Sequence, residues 1–369
     1  VKQLNNALFV GIDVSSKNNV AYIMKPDGDK HSSFSIPNNR PGAEILVDRI
    51  VEVLQRLFIP KVVIGLESTS VYGDNLMYFL RETGKFSGFE KKLHMLNPKQ
   101  VKKFRDTYSD LPKNDFVDAF IIADHLRFGR INKEVYMGDY RYEALKALTR
   151  ARHQTVQSLT REKQRFLNQL FMKFSGFSQV KNFSNNFGAT ATAVIENFEF
   201  LDELAYIVSD ELADFIKKHG KGKLEDVDGI VSNLQKAAQN SYRPPTVIAD
   251  SVNQILAISM STIRLLQGQV KEYDKAIEKQ FSTIPNTLTS VKDIGPVYAA
   301  GIIAEIGDIS RFPSQASLAK YAGLTWTQHQ SSEFEAEDTR LIHSGNHHLR
   351  YYLCESAHSL RKCDPECRR

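Results

Sequence analysis

The sequence predicts an α/β region at the N-terminus, a long helical middle and a mainly α-helical C-terminal region. Three observations carry this prediction. Short apolar runs alternate with turn signals and then with helical patterns over the first part of the chain. Two long stretches, 141–174 and 246–280, keep an amphipathic helical pattern. Short apolar helices and a polar loop follow. We therefore expect domain boundaries at 1–133, 134–280 and 281–369.

Five strands are predicted in the first region. Two of the runs are continuously apolar, as in buried strands, and they end in Asp13 and Glu67. An Asp-Gly turn signal in "KPDGDK" joins the second strand to the third. The predicted strands are 7–13, 18–24, 31–38, 61–67 and 89–97.

Four helices are predicted between and after these strands. Gly84 marks the end of one, and Pro98 marks the start of another. An antiparallel run of three strands, followed by strands that alternate with helices, indicates a mixed sheet with a parallel half. The predicted helices are 42–58, 71–84, 98–106 and 115–129.

The middle of the chain is predicted to be helical. The stretch 141–174 has neither Gly nor Pro, and at ~1.5 Å per residue it would extend about 50 Å. Its narrow apolar seam is typical of a helix that pairs with another, and 246–280 is the expected antiparallel partner in a coiled coil. The residues between them, 175–245, read as a polar, mostly helical insert.

Basic residues decorate the first long helix. They form either a solvated face or a surface that contacts nucleic-acid phosphates. The candidates are Arg150, Arg152, Arg161, Lys163 and Arg165.

The last region begins with "LTSVKDIGPVYAAGIIAEIGD", a short helix, an Ile-Gly-Pro turn and an apolar helix. This order resembles a helix-hairpin-helix, whose turn can bind phosphate, but a plain helical turn fits equally well. A helix over 312–324, a polar loop over 325–345 and a helix over 345–362 follow. Arg340 and Arg350 flank the loop, either as phosphate clamps or as ordinary surface arginines.

Composition argues against a membrane protein or a disulfide-stabilised protein and favours a nucleic-acid-binding one. No apolar run approaches the ~18 residues that a membrane span needs, and the N-terminus does not read as a signal peptide. The three cysteines all follow residue 350, which argues against a disulfide framework and for a reducing, cytoplasmic location. "CDPEC" with His358 does not have standard zinc spacing. A net charge of +5 and a pI of about 8.9 favour nucleic acid as a partner.

Four acidic residues form the candidate site. Asp13 and Glu67 end two strands, and Asp115 and Asp118 lie on one face at the start of a helix. Each alone has a simpler explanation as a turn former or helix cap. Together at one sheet edge, four carboxylates would repel each other unless cations lay between them. Two Mg²⁺ ions would satisfy such a site and act on a phosphate.

Three motifs around these acids carry a family resemblance. "VGIDVSSKNNVAYIM", "GLESTSVYG" and "KNDFVDAF" resemble the N-terminal domain of the DEDD transposases of bacterial insertion sequences, a group that includes bridge-RNA-guided recombinases and pilin-gene invertases. That domain is similar to the RuvC Holliday-junction resolvase within the ribonuclease-H-like fold. The stretch from "DIGPVYAAGIIAEIGD" through "GNHHLRYYLCESA" resembles the second domain of the same family.

The resemblance implies a function and a set of partners. It implies a DNA transposase in which Asp13, Glu67, Asp115 and Asp118 bind Mg²⁺. It assigns the nucleophile to Ser331 of "HQSSEF", which would form a covalent phosphoserine with DNA. The family usually has Gly after this serine, where this chain has Ser332. The resemblance further implies a structured guide RNA and a dimer or tetramer, held by the long helices, with active sites shared between protomers.

Three other functions remain as alternatives. A metal-dependent nuclease or junction resolvase would use the acids without Ser331. An actin-like ATPase shares the opening "GIDVSS" hairpin, but it needs a second phosphate loop, for which "DVDGIV" (226–231) is a poor match. A nonenzymatic nucleic-acid scaffold would follow if the acids did not converge.

Overall fold

The structure is a computed structural model. It describes residues 6–67, 71–109, 111–129, 139–179, 183, 185–221, 224–326, 330–331, 334–335, 340–342 and 344–363, with the backbone alone at 330–331, 334–335 and 363. The chain divides into two compact units, Val1–Met137 and Gly138–Arg369. The second unit contains both the long helices and the C-terminal helices, and the three-domain division stays a prediction. In the part of the chain that the structure describes, no helix is long and apolar enough to cross a membrane.

The first unit is built on one five-stranded mixed sheet. Its order is β3-β2-β1-β4-β5. β1, β2 and β3 are antiparallel neighbours, whereas β4 is parallel to β1 and β5 is parallel to β4. This arrangement confirms the predicted ribonuclease-H-like fold class. The strands are β1 (Ala7–Val14), β2 (Asn18–Met24), β3 (Lys30–Pro37), β4 (Lys61–Glu67) and β5 (Glu90–Leu96).

Four helices cover the two faces of this sheet. Three begin at an asparagine whose side chain accepts a hydrogen bond from the first turn, namely Asn39, Asn97 and Asn114. α1 and α2 pack on one face, against the even-numbered residues of β1, and α3 and α4 pack on the other. The helices are α1 (Arg40–Arg56), α2 (Asp74–Glu82), α3 (Pro98–Arg105) and α4 (Asp115–Phe128).

Two glycines let α4 lie directly on the sheet. A Cβ atom on Gly11 would lie 2.1 Å from the carbonyl oxygen of Ala119 and 2.4 Å from the nitrogen of Ala123. On the neighbouring strand, a Cβ on Gly65 would lie 2.9 Å from the Leu126 side chain. Because only glycine leaves room for this approach, the sequence of β1 fixes where α4 crosses it.

The second unit contains nine helices among its described residues. The two longest, α5 and α10, run antiparallel, since Arg141 near the start of α5 donates a hydrogen bond to the carbonyl of Thr283 just after α10, at 2.7 Å. Farther along, Ser259 Oγ donates to Glu162 Oε1 at 2.6 Å. The helices are α5 (Tyr140–Lys173), α6 (Ala189–Asn197), α7 (Leu201–Tyr206), α8 (Ser209–Gly220), α9 (Val227–Gln239), α10 (Thr246–Phe281), α11 (Pro296–Ile306), α12 (Gln315–Ala322) and α13 (His347–Cys363).

The insert between the two long helices has an apolar core of its own. Leu204, Leu212, Ile216 and Leu234 are buried, and they pack in one cluster with Phe166 of α5. The predicted helices are confirmed there. The segment is less polar than predicted, because it contains this buried apolar cluster. Each of these short helices buries only three or four apolar residues, several of them alanines, so their periodicity is weak in the sequence.

The C-terminal part begins with less helix than the sequence suggested. A single 3₁₀ turn, Leu288–Ser290, stands where the first helix of the helix-hairpin-helix-like element was predicted. α11 follows the Ile-Gly-Pro turn as expected, with Pro296 in its first turn. The element therefore consists of one turn and one helix.

Candidate active site

Asp13 and Glu67 lie side by side at the carboxyl ends of two parallel strands. β1 and β4 pair in register up to Ile12 and Leu66, which are the residues immediately before the two acids. Side chains alternate between the faces of a strand, so Asp13 follows Gly11, and Glu67 follows Gly65, on the face that α4 covers. The two acids therefore share one edge and one face.

Asp115 and Asp118 reach the same edge of the sheet from α4, which lies on one of its faces. They occupy the first turn of α4, which the Asn114 side chain caps by accepting from Val117 N at 2.9 Å. Because the backbone at Ala119 touches β1 at Gly11, the turn that precedes Ala119 lies over the end of that strand. The Asp118 side chain is mostly buried, whereas Asp115 is exposed.

The candidate carboxylates lie near enough for their negative charges to act on one another. Burial, followed by the negative charges of Asp118 and Asp115, raises the pKa of Asp13 to about 6. Burial and the charges of Asp13 and Asp118 raise the pKa of Glu67 above its usual value. A cation bound among these carboxylates would relieve the repulsion and lower both pKa values.

A guanidinium group already meets one of these carboxylates. Arg105, at the end of α3, forms an ion pair with Asp118, and its other terminal nitrogen donates to the carbonyl of Pro112 at 3.1 Å. Among the described residues, no three His, Cys, Asp or Glu side chains lie close enough together to ligate one metal ion. The site has hard oxygen donors and excess negative charge, which fit Mg²⁺, although its side chains are not gathered into a ligand set.

Known families match both ends of the chain. Residues 10–174 match the DEDD transposase family of IS110, described as "Transposase". Residues 286–369 match the family described as "Transposase IS116/IS110/IS902 family". The chain belongs to the IS110 family of DEDD transposases. As a transposase it is an enzyme that cuts and rejoins DNA, and the first match spans all four acids of the candidate site.

Two proteins of insertion elements and one solved structure are similar to this transposase. A protein of insertion element IS110 from Streptomyces coelicolor is 22% identical over 98% of this chain and 86% of its own length. A protein of IS116 from Streptomyces clavuligerus is 22% identical over 87% of this chain and 76% of its own. The structure of T. thermophilus RuvC in complex with Holliday junction substrate aligns with 35% of this chain and 98% of its own, at 15% identity and a TM-score of 0.25.

Ser331 lies in the second unit, in a short β-hairpin. β6 (Gln330–Ser331) pairs antiparallel with β7 (Phe334–Glu335), so that Ser331 lies opposite Phe334. The loop that carries this hairpin is closed at its base, where Trp326 forms a bridge with Leu341. The backbone N–H of Ile342 donates to Thr325 O at 2.6 Å in the same place.

Helix ends hold the base of this loop. Gly323 ends α12 in the left-handed conformation, with φ of 72°, and a Cβ on Gly345 would lie 2.6 Å from the nitrogen of Gly323. Asn346 follows, and its backbone N–H donates to Tyr321 O at 2.7 Å while its side chain donates to Glu305 at 2.7 Å. Both ends of the loop are therefore attached to the packed helices of the second unit.

Two of the predicted nucleic-acid contacts form ion pairs inside the second unit. Arg150 donates to both oxygens of the fully buried Glu305, at 2.7 and 2.9 Å. Burial alone would raise the pKa of Glu305, but the hydrogen bonds and charge of Arg150 hold that pKa below its usual value. Arg152 pairs with Asp274 on α10. These partners give both arginines a structural role, and their contact with nucleic acid stays a prediction.

The other predicted basic residues lie nearer the surface. Arg165 pairs with Glu162 one turn away, and the Lys163 ammonium lies 5.0 Å from the centre of the Phe187 ring. Arg161 donates to Gln157 O at 3.4 Å. Arg350 donates to Ala322 O at 3.1 Å, next to the base of the serine loop, where Arg340 is exposed.

Two functional features were missed by the sequence reasoning. Arg105 is one of several basic residues on α3, and nothing in its spacing distinguishes the one that reaches Asp118. Gly11 carried a usable signal, because a glycine inside a buried strand often marks a close backbone approach. The zinc candidate "CDPEC" extends outside the described residues, and so it stays a sequence interpretation.

Proposed function

We propose that this transposase cuts and rejoins DNA with the four acids at the sheet edge and with Ser331 as nucleophile. Asp13, Glu67, Asp115 and Asp118 would hold two Mg²⁺ ions. When bound there, the metal supplies polarisation of the phosphate and stabilisation of the leaving oxygen. The observation that carries the proposal is the coupling of Asp13 with Asp115 and Asp118, acids that are far apart in sequence.

The serine step is a transfer of a phosphoryl group to the protein. A bond forms between the Ser331 Oγ and the DNA phosphorus while the bond from phosphorus to the deoxyribose oxygen breaks. The hydroxyl proton passes to a base or to solvent, and the departing oxygen takes up a proton. The phosphodiester energy is kept in the phosphoserine, so that rejoining needs no further energy source. The hairpin with its closed base supports this role, because it presents the serine on a loop anchored at both ends.

We also propose a guide RNA and a homo-oligomer as partners. The net positive charge is compatible with an RNA-bound protein, and base pairing would then read the DNA sequence. A row of exposed apolar side chains on α10 supports self-association. Ile248 is 45%, Ile255 41%, Ile258 69% and Leu265 63% exposed. Their spacing by three and by seven residues is that of a coiled-coil seam.

One experiment tests the chemistry. The protein is incubated with Mg²⁺, the RNA encoded at the element's end and its DNA ends, then denatured and resolved by electrophoresis. We expect a protein–DNA adduct that survives denaturation. Ser331→Ala should abolish the adduct, and Ser332→Ala, the matched control, should retain it. If the adduct persists in Ser331→Ala and disappears in Ser332→Ala, the nucleophile is Ser332 and our assignment is wrong.

The alternative function is a metal-dependent nuclease or junction resolvase without a covalent intermediate. The same assay separates the two, because a nuclease continues to cut in Ser331→Ala and forms no adduct. Asp115→Ala should abolish cutting under either function. The ATPase alternative loses its support, since Asp226 and Gly229 of "DVDGIV" form the capped first turn of α9.

A further inference from the structure

A pocket in the first unit lies at the sheet edge where β1 ends, on the side that α1 and α2 cover. Its volume is about 480 Å³, within the ~300–1,000 Å³ of pockets that take small organic ligands. Its apolar wall comes from α1 and α2 and includes Phe79, and its polar wall includes Ser16, Asn39, Arg40 and Asn75. None of these residues is assigned to the chemistry at the four acids.

The pocket is joined to the catalytic edge by the backbone. Asn38, which also lines it, donates from its side chain to Ser15 O at 2.8 Å and to Tyr72 O at 3.2 Å. Ser15 belongs to the turn after Asp13, and Tyr72 follows Glu67 in the chain. Asn38 therefore ties together the two segments that leave the acidic edge.

Chain geometry limits the distance between the pocket and the acids. Ser16 lies three residues after Asp13, so their Cα atoms are at most about 11 Å apart. Nucleotides in a duplex strand rise ~3.4 Å each, so this distance corresponds to about three nucleotides or fewer. The pocket therefore lies within reach of a nucleotide that neighbours a phosphate held at the acids.

The lining has the chemistry of a nucleobase site. An aromatic ring and aliphatic side chains offer a surface for the face of a base, and asparagine amides can donate to and accept from its edge. The Arg40 side chain is 82% exposed at the rim, where it can meet a phosphate. Its partner Glu44 is one turn along α1 at 3.1 Å, an exposed pair that contributes little and can open.

We propose that this pocket receives one unstacked base of the DNA strand, within about three nucleotides of the phosphate that is cut. The inference rests on the proposed function, because it places the phosphate at the four acids. Removing one base from the stack costs a few kcal/mol in duplex DNA and less where the strand is already open. The pocket would thereby fix the position of the strand before cutting.

The binding test uses no catalysis. Isothermal titration calorimetry in EDTA compares the thymidine trinucleotide pTpTpT with the same trinucleotide carrying an abasic central position. We expect the wild type to bind the complete trinucleotide at least about tenfold more tightly than the abasic one. Asn75→Trp, which fills the pocket, should remove that difference. Tyr78→Trp adds the same side chain to an exposed position of α2 outside the pocket and should leave it intact.

Two further variants make the test decisive. Arg40→Ala should weaken both trinucleotides equally, because it removes a phosphate contact. Asp118→Asn should retain the base preference while losing strand cutting, which separates this inference from the proposed catalytic function. Equal binding of the complete and abasic trinucleotides, or an unchanged preference in Asn75→Trp, would overturn the pocket assignment even if the covalent adduct with Ser331 were found.

Discussion

Arg105 and Asp118 form an ion pair at the sheet edge that carries the candidate acids. The guanidinium is carried by the last residue of α3, and the carboxylate lies in the first turn of α4. Both side chains are about three-quarters buried, at 23% and 28% exposure. Arg105 thus supplies positive charge to a site whose other carboxylates repel each other, and its removal should lower the stability of the protein.

Arg105→Ala should destabilise the protein in EDTA by about 1.5–3 kcal/mol, the range for a hydrogen bond to a charged group. Saturating Mg²⁺ should reduce the loss, because divalent ions would then neutralise the carboxylates. Urea unfolding with and without Mg²⁺ measures both values. Lys102→Ala, at an exposed position of the same helix, should change neither. An equal loss in EDTA and in Mg²⁺ would show that Arg105 acts only through packing.

The raised pKa of Asp13 should appear in the pH dependence of stability without metal. The native pKa of about 6 exceeds the ordinary 3.8, so between these values the folded protein binds more protons than the unfolded chain. Stability therefore falls as pH rises through this window and levels off above about pH 6. Asp13→Asn should remove this contribution, and the difference between variant and wild type in EDTA from pH 4.5 to 7.5 isolates it. A difference that does not change with pH would contradict the raised pKa of Asp13.

Removing Arg150 should strongly destabilise the second unit. Arg150→Leu leaves the fully buried Glu305 carboxylate without its bidentate partner, and breaking such a pair costs about 3–5 kcal/mol. The double variant Arg150→Met/Glu305→Leu should recover most of the loss, since it leaves no unpaired charge. Arg165→Ala removes a pair whose arginine is 70% exposed and should cost less than about 1 kcal/mol. Chemical denaturation measures all three.

Gly11→Ala should separate α4 from the sheet. The new Cβ would lie 2.1 Å from the carbonyl oxygen of Ala119, which is backbone and cannot move independently. We expect a loss of at least about 2 kcal/mol, toward the upper end for overpacking. Gly84→Ala is the matched control, because a Cβ added there would meet no heavy atom of a packing neighbour within 4 Å. Similar unfolding midpoints for the two variants would contradict the close approach.

Ile258→Glu should weaken self-association. A charge in the middle of the exposed row on α10 would be buried without a partner at a helical interface. Sedimentation equilibrium should show a shift toward the monomer, whereas Lys271→Glu, at an exposed position outside the row, should not shift it. An unchanged distribution in Ile258→Glu would mean that oligomers form through another surface.

Much of the fold follows from local patterns in the sequence. The five strands, α1 to α4 and the two long helices lie within a few residues of the predicted ranges, because long apolar runs and sustained helical periodicity are strong local signals. The placement of Asp13 and Glu67 at strand ends follows from the same runs. Local signals did not predict the packed core of the insert or the 3₁₀ turn at 288–290. Short amphipathic segments do not determine their own conformation or packing partners.

The sequence by itself determined which acids stand at the ends of β1 and β4 and which begin α4, because these positions depend only on neighbouring residues. The tertiary structure decided that they lie at one edge of the sheet. That convergence needs Gly11 to admit the α4 backbone, Arg105 to reach Asp118, and Asn38 to tie the two strand exits together. Each is a contact between residues distant in the chain, whose partner is chosen by packing and charge in three dimensions.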